Sequence, residues 1–82
     1  MLTKDEYKGI VLHDAKTMRK AYPMLRKGQS IFNTVDPEIS RYVQFIKGID
    51  CFYDDSKIDE FLDACYDCYR NPEVLRDSST RL

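Results

Sequence analysis

The chain has 82 residues, room for one hydrophobic core and not two. With 43% hydrophobic and 33% charged residues it has the balance of a folded globular protein, and no apolar run exceeds three residues, which excludes a membrane span. Net charge is −1 but divided: residues 1–48 hold nine Lys/Arg against five Asp/Glu, and residues 49–82 hold four against nine.

Thr3 and Glu6 have capping-box spacing, so a first helix begins beside Asp5. Tyr7, Ile10, Val11, Ala15, Met18, Ala21 and Tyr22 then recur at helical spacing and predict one buried stripe. Gly9 weakens that helix by about 1 kcal/mol against Ala. Pro23 ends it, because the ring disfavours helical geometry at Tyr22. A shorter second helix places Leu25, Gly28, Phe32 and Val35 on one face, with Gly28 allowing a neighbouring helix to approach closely.

Asp36-Pro37-Glu38 reads as an N-cap followed by a first-turn proline and an acid, and so opens a third helix. Its stripe is Ile39, Tyr42, Val43 and Ile46, with Gly48 as the left-handed stop. The connector 49–53 is rich in large side chains, and Ile49, Phe52 and Tyr53 are expected to plug the core. Asp54 or Asp55 caps the last main helix, which buries Ile58, Phe61, Leu62, Cys65 and Tyr69 and turns Asp59, Glu60, Asp63 and Asp67 to solvent. Asn71-Pro72-Glu73 starts one more turn, 73–76, while 77–82 is polar and expected to fray. The class is all-α: a small single-domain bundle of three to four helices, residues 1–76, with a buried aromatic connector.

Three cysteines argue against a disulfide framework and predict free thiols at Cys51, Cys65 and Cys68. With Lys4, Asp5 and Glu6 in place of an apolar leader, the expectation is a cytoplasmic protein. Cys65-x-x-Cys68 with Cys51 and His13 could in principle form a zinc set. The pair lies inside a helix without a knuckle turn, however, and Cys65 belongs to the apolar stripe. The carboxylates from Asp50 to Glu60 lack the alternation and central glycine of a calcium loop. His13 is the sole histidine, Ser30, Ser40 and Ser56 lack the setting of a nucleophile, and no glycine-rich phosphate loop is present. No residue is assigned a catalytic, cofactor-binding or metal-binding role, and the chain reads as non-catalytic.

Two segments carry a resemblance. Arg26, Gly28, Gln29 and Asn33, followed by a helix and then Asp50, Phe52, Tyr53, Asp54, Asp55, Phe61 and Leu62, resemble a set of short, functionally uncharacterised bacterial and phage-borne proteins. Their pattern runs R-x-G-Q-x-x-x-N and then D-P-F-Y-D-D, with Cys51 here in place of the proline. The resemblance implies a bacterial or phage source and carries no activity with it. Physically, Arg26 could pair with Asp50 or Asp54, and Gln29 and Asn33 could bond the connector backbone, which makes these residues, with Gly28, Phe52 and Tyr53, a structural joint.

The expected function is macromolecular binding, foremost to another protein. The candidate face is Asp59, Glu60, Asp63 and Asp67. One alternative is a nucleic-acid-associated regulator using Lys16, Arg19, Lys20, Arg26 and Lys27. The other is a phage inhibitor of a host nucleic-acid enzyme that presents the acidic 50–67 region in place of a phosphate backbone. Partner and oligomeric state are left open.

Overall fold

The first three helices begin where a side chain satisfies an otherwise orphaned backbone N–H. The computed structural model describes the backbone of residues 1–80 and the side chains of residues 1–76. Helix α1 spans Lys4–Ala21, and Thr3 Oγ1 accepts from the Glu6 N–H at 3.2 Å while Glu6 Oε1 accepts from the Thr3 N–H at 2.9 Å. Helix α2, Lys27–Thr34, opens with Gln29 Oε1 accepting from the Arg26 N–H at 3.0 Å. Asp36 Oδ1 accepts from the Glu38 N–H at 2.9 Å and starts α3, Pro37–Arg41.

Helix α3 runs without a break into a π turn, Tyr42–Ile46, and Gly48 at φ 72° stops it. Beyond the connector, Asp54 Oδ1 accepts from the Ser56 N–H at 3.0 Å. That bond opens a 3₁₀ turn, Asp55–Lys57, which leads into α4, Ile58–Arg70. Helix α5 spans Glu73–Thr80, past the single turn expected from 73 to 76. Of the tail expected to fray, residues 81 and 82 lie outside the described residues.

Helix α4 is the centre of the bundle, touched by α1, α3, the π turn, the 3₁₀ turn and α5. The core joins Tyr7, Val11 and Ala15 of α1, Ile31 and Val35 of α2, Val43 of the π turn, and Phe61, Leu62, Cys65, Tyr66 and Cys68 of α4. Burying one such side chain as large as Phe61 stabilises the fold by about 1.5–3 kcal/mol. At one end Tyr7 stacks on Tyr69 at 5.0 Å and on Tyr66 at 5.7 Å between ring centres. The Tyr66 hydroxyl donates to the Leu2 carbonyl at 2.8 Å, and the Leu2 N–H donates to the Tyr69 hydroxyl at 3.1 Å. The architecture is all-α, with no strand among the described residues and no helix there long and apolar enough to cross a membrane.

Several packing expectations need correction. Ile10, Ala21 and Tyr22 of the α1 stripe are exposed, because among the described residues α1 is covered mainly along the side that meets α2 and α4. Helix α4 is the reverse case: surrounded by several elements, it buries Tyr66 and Cys68 along with Phe61, Leu62 and Cys65 of the expected stripe, whose Ile58 and Tyr69 are only half-buried. In the connector the plug is Cys51, fully buried, while Phe52 is half-buried and Tyr53 is exposed. The reason is local: Asp50 Oδ1 accepts from the Phe52 N–H at 2.9 Å and the Tyr53 N–H at 3.4 Å, and this side-chain turn sends Tyr53 outward.

Candidate functional site

The joint between α2 and the connector is built on a glycine. A Cβ at Gly28 would sit 1.9 Å from the Cys51 carbonyl oxygen and 2.6 Å from Asp55 Oδ1. The close neighbour is thus the connector backbone and not, as expected, another helix. The Gly28 N–H donates to Asp55 Oδ1 at 3.1 Å, and the Cys51 thiol donates to the Gly28 carbonyl at 3.4 Å. Arg26 Nη2 donates to the Phe52 carbonyl at 2.6 Å, and its Nε lies 3.9 Å from Asp55 Oδ1.

Arg26 therefore pairs with Asp55 and not with Asp50 or Asp54, whose carboxylates are taken up locally: Asp50 by Gln44 and the connector amides, Asp54 by Ser56. Two Ser56 hydrogen bonds hold the exposed Asp54 carboxyl below the usual carboxylate range. Gln29 is spent on the cap of its own helix, and Asn33 is exposed without a hydrogen bond to the connector. Phe52 stands edge-on to Phe32 at 5.4 Å, which fixes its half-buried position.

The three thiols are buried and reduced. Burial pushes Cys51 up to about 12, and raises Cys65 and Cys68 as well, so none is primed as a nucleophile. Among the described residues no group of three or more His, Cys, Asp or Glu side chains is arranged to hold a metal ion. His13 lies exposed on α1 with Nδ1 3.5 Å from Asp14 Oδ1.

The acidic residues of α4 divide into two kinds. Asp63 is bound by Lys8 at 2.5 Å and by Lys4 at 3.7 Å, which hold its carboxyl below the usual range. It is therefore a half-buried tie between α1 and α4, where the sequence predicted a member of an open acidic face. Glu60 pairs with Lys57 at 3.7 Å. Asp59 and Asp67 are exposed and have no ion pair among the described residues.

The basic stretch divides in the same way. Arg19 Nη1 donates to the buried Ser30 hydroxyl at 2.7 Å, and Arg26 is committed to the joint. Lys16, Lys20 and Lys27 remain exposed, without ion-pair partners among the described residues.

A further surface was not foreseen. In the π turn the Lys47 N–H reaches back five residues to the Tyr42 carbonyl at 3.2 Å, and the Ile49 N–H bonds the Val43 carbonyl at 3.1 Å. The wider turn advances fewer degrees per residue than an α-helix, so Ile46 falls off the stripe that Val43 leads. Phe45 is 74% exposed and Ile46 58%, with exposed Arg41 and Lys47 close by in the chain. The signal lay in the density of the segment: Tyr42, Val43, Phe45 and Ile46 are four large apolar side chains within five residues, more than one helix face can hide. No protein-family model, curated protein or solved structure matches this chain.

Proposed function

We propose that this chain is a small helical protein-binding module, without a reaction of its own, that docks through Phe45 and Ile46. The observation that carries the reading is their joint exposure on the π turn. Leaving a side chain of this size in water forgoes about 1.5–3 kcal/mol of burial. Adjacent exposed apolar side chains with a charged rim are the composition of a protein contact. Arg41 and Lys47 supply that rim here, so the matching partner surface is apolar at its centre and acidic around it.

The acidic side of α4 supports a docking role less well, since Asp63 and Glu60 are already paired. A nucleic-acid role is weaker for a parallel reason, because Arg19 and Arg26 spend guanidinium donors inside the fold. Free thiols at Cys51, Cys65 and Cys68 fit a reducing, cytoplasmic setting, and the resemblance to short bacterial and phage-borne proteins fits an accessory or regulatory one.

The experiment is affinity capture with the wild type and with a Phe45→Ser/Ile46→Ser variant. The variant should melt with the wild type and lose the protein the wild type retains, and rising salt should weaken the wild-type complex through Arg41 and Lys47. A folded variant that keeps every wild-type partner refutes the reading.

A further inference from the structure

Two of the three glycines answer to the fold. Gly28 is pressed against the Cys51 carbonyl, and Gly48 sits at φ 72°. Gly9 answers to neither demand. It is exposed in the middle of α1, and a Cβ there would meet nothing within 4 Å. A glycine inside a helix is unfavourable relative to alanine, so its presence without an internal packing reason directs attention to what lies outside. Gly9 lines an open groove of about 450 Å³ with Leu2, Glu6, Ile10, His13 and Asp14, and Ile10 beside it is 48% exposed.

The same side of α1 has an ordered charge. Glu6, Ile10, His13, Thr17 and Lys20 are spaced alternately by four and three residues, the spacing of a single seam along a helix. The acid stands at one end of this seam. Lys20 stands at the other, with Lys16 one turn before it, and neither lysine has an ion pair within the described fold. Laid antiparallel on a second α1, the Glu6 end meets the Lys16–Lys20 end, and by symmetry the same contact forms twice. The twofold axis then passes between residues 11 and 13, so Gly9 faces the 13–17 stretch of the other copy, where the missing side chain lets the two backbones approach, and Ile10 beside it loses its exposure to water.

We propose that the occupant of this groove is a second copy of the chain, paired through α1 about a twofold axis. The contact uses none of the π-turn residues and does not depend on the protein-binding reading. Confined to one helix face, it belongs below the standard interface size of about 1,200–2,000 Å². The dimer is therefore reversible, concentration-dependent and weakened by salt.

Sedimentation of the full chain over a concentration series extending to millimolar tests the proposal. The wild type should show a monomer–dimer equilibrium. Gly9→Gln should melt no lower than the wild type, since glutamine favours helix and the site is open, yet dimerise about tenfold more weakly or worse. Glu6→Lys alone and Lys16→Glu/Lys20→Glu alone should each be monomeric, and mixing the two should restore a dimer, because both end contacts then pair opposite charges. Circular dichroism checks that each variant is folded. If Glu6→Lys loses its cap and fails to fold, Gly9→Gln and the lysine variant still decide the matter. A wild type that stays monomeric throughout, or a dimer untouched by those two variants, overturns the proposal, as does a mixture of folded charge variants that stays monomeric.

Discussion

Two neighbouring departures from regular α-helix, the connector and the π turn before it, use their side chains in opposite senses. In the connector, Asp50 binds the amides of Phe52 and Tyr53, Arg26 binds the Phe52 carbonyl, and the Cys51 thiol is buried against Gly28. In the π turn the backbone is equally well bonded, yet Phe45 and Ile46 are turned to water. Irregular backbone is thus no guide to purpose by itself. What separates the two is where the apolar side chains go: the first break is consumed by its neighbours, and the second leaves surface over.

The largest test of that contrast is Gly28→Ala. The new methyl would overlap the Cys51 carbonyl oxygen, and the connector, held at several points, has little freedom to retreat. Denaturant unfolding should show a loss of about 3 kcal/mol. A loss under about 1 kcal/mol would mean that the connector slides and that the joint is no more rigid than the π turn.

A second test is alkaline pH. Burial lifts Cys51 from 9.0 to about 12, so the folded chain holds the thiol proton more tightly than the unfolded chain does. That contribution to stability is complete below 9.0 and is lost as pH rises toward about 12. Cys65, Cys68 and Tyr7 are raised too and act in the same direction. Melting temperature should decline through this window, and a thiol reagent at pH near neutrality should label none of the three cysteines before unfolding. Rapid labelling of Cys51 would open the joint that the hydrogen bonds describe as closed.

The smallest effect belongs to the π turn. Phe45→Ser/Ile46→Ser should change stability by less than about 0.5 kcal/mol, the usual range for surface positions. A loss of several kcal/mol in the same denaturant assay would show that these side chains support the fold and would remove the contrast between the two regions.

Much of the fold was legible in local chemistry. The Thr3–Glu6 box, the Asp36-Pro37 start and the Gly48 stop each depend on atoms within a few residues, and each is found where its pattern stands; of Asp54 and Asp55, the two caps expected for the last main helix, Asp54 serves, but on the 3₁₀ turn that leads into it. The misses came from decisions made at longer range. Ile10 is exposed because no described residue covers its side of α1, while Tyr66 is buried where Tyr7 of α1 meets it, neither of which a stripe can reveal. The π turn has no accepted composition, and by lagging in rotation it moved Ile46 from the inside to the outside. The candidate surface was hidden for the same reason, since Ile46 reads from sequence as core and Phe45 stands outside the stripe. At the joint Arg26 was recognised as a tie, but its acid was misassigned among Asp50, Asp54 and Asp55, three carboxylates whose local obligations differ.

The grip of Tyr66 and Tyr69 on Leu2 bears on the order in which a ribosome delivers this protein. Those two hydrogen bonds join residues 64 and 67 positions apart, so Leu2 is released long before its two tyrosine partners exist. Helices α1 and α2 can pair in the interval, tied by Arg19 and Ser30. Tyr7 must wait for its ring partners until Tyr66 and Tyr69 have been translated. A product that stops short of Tyr66 therefore carries the aromatic side of α1 uncovered, and is the form that chaperones and proteases in the cell would meet.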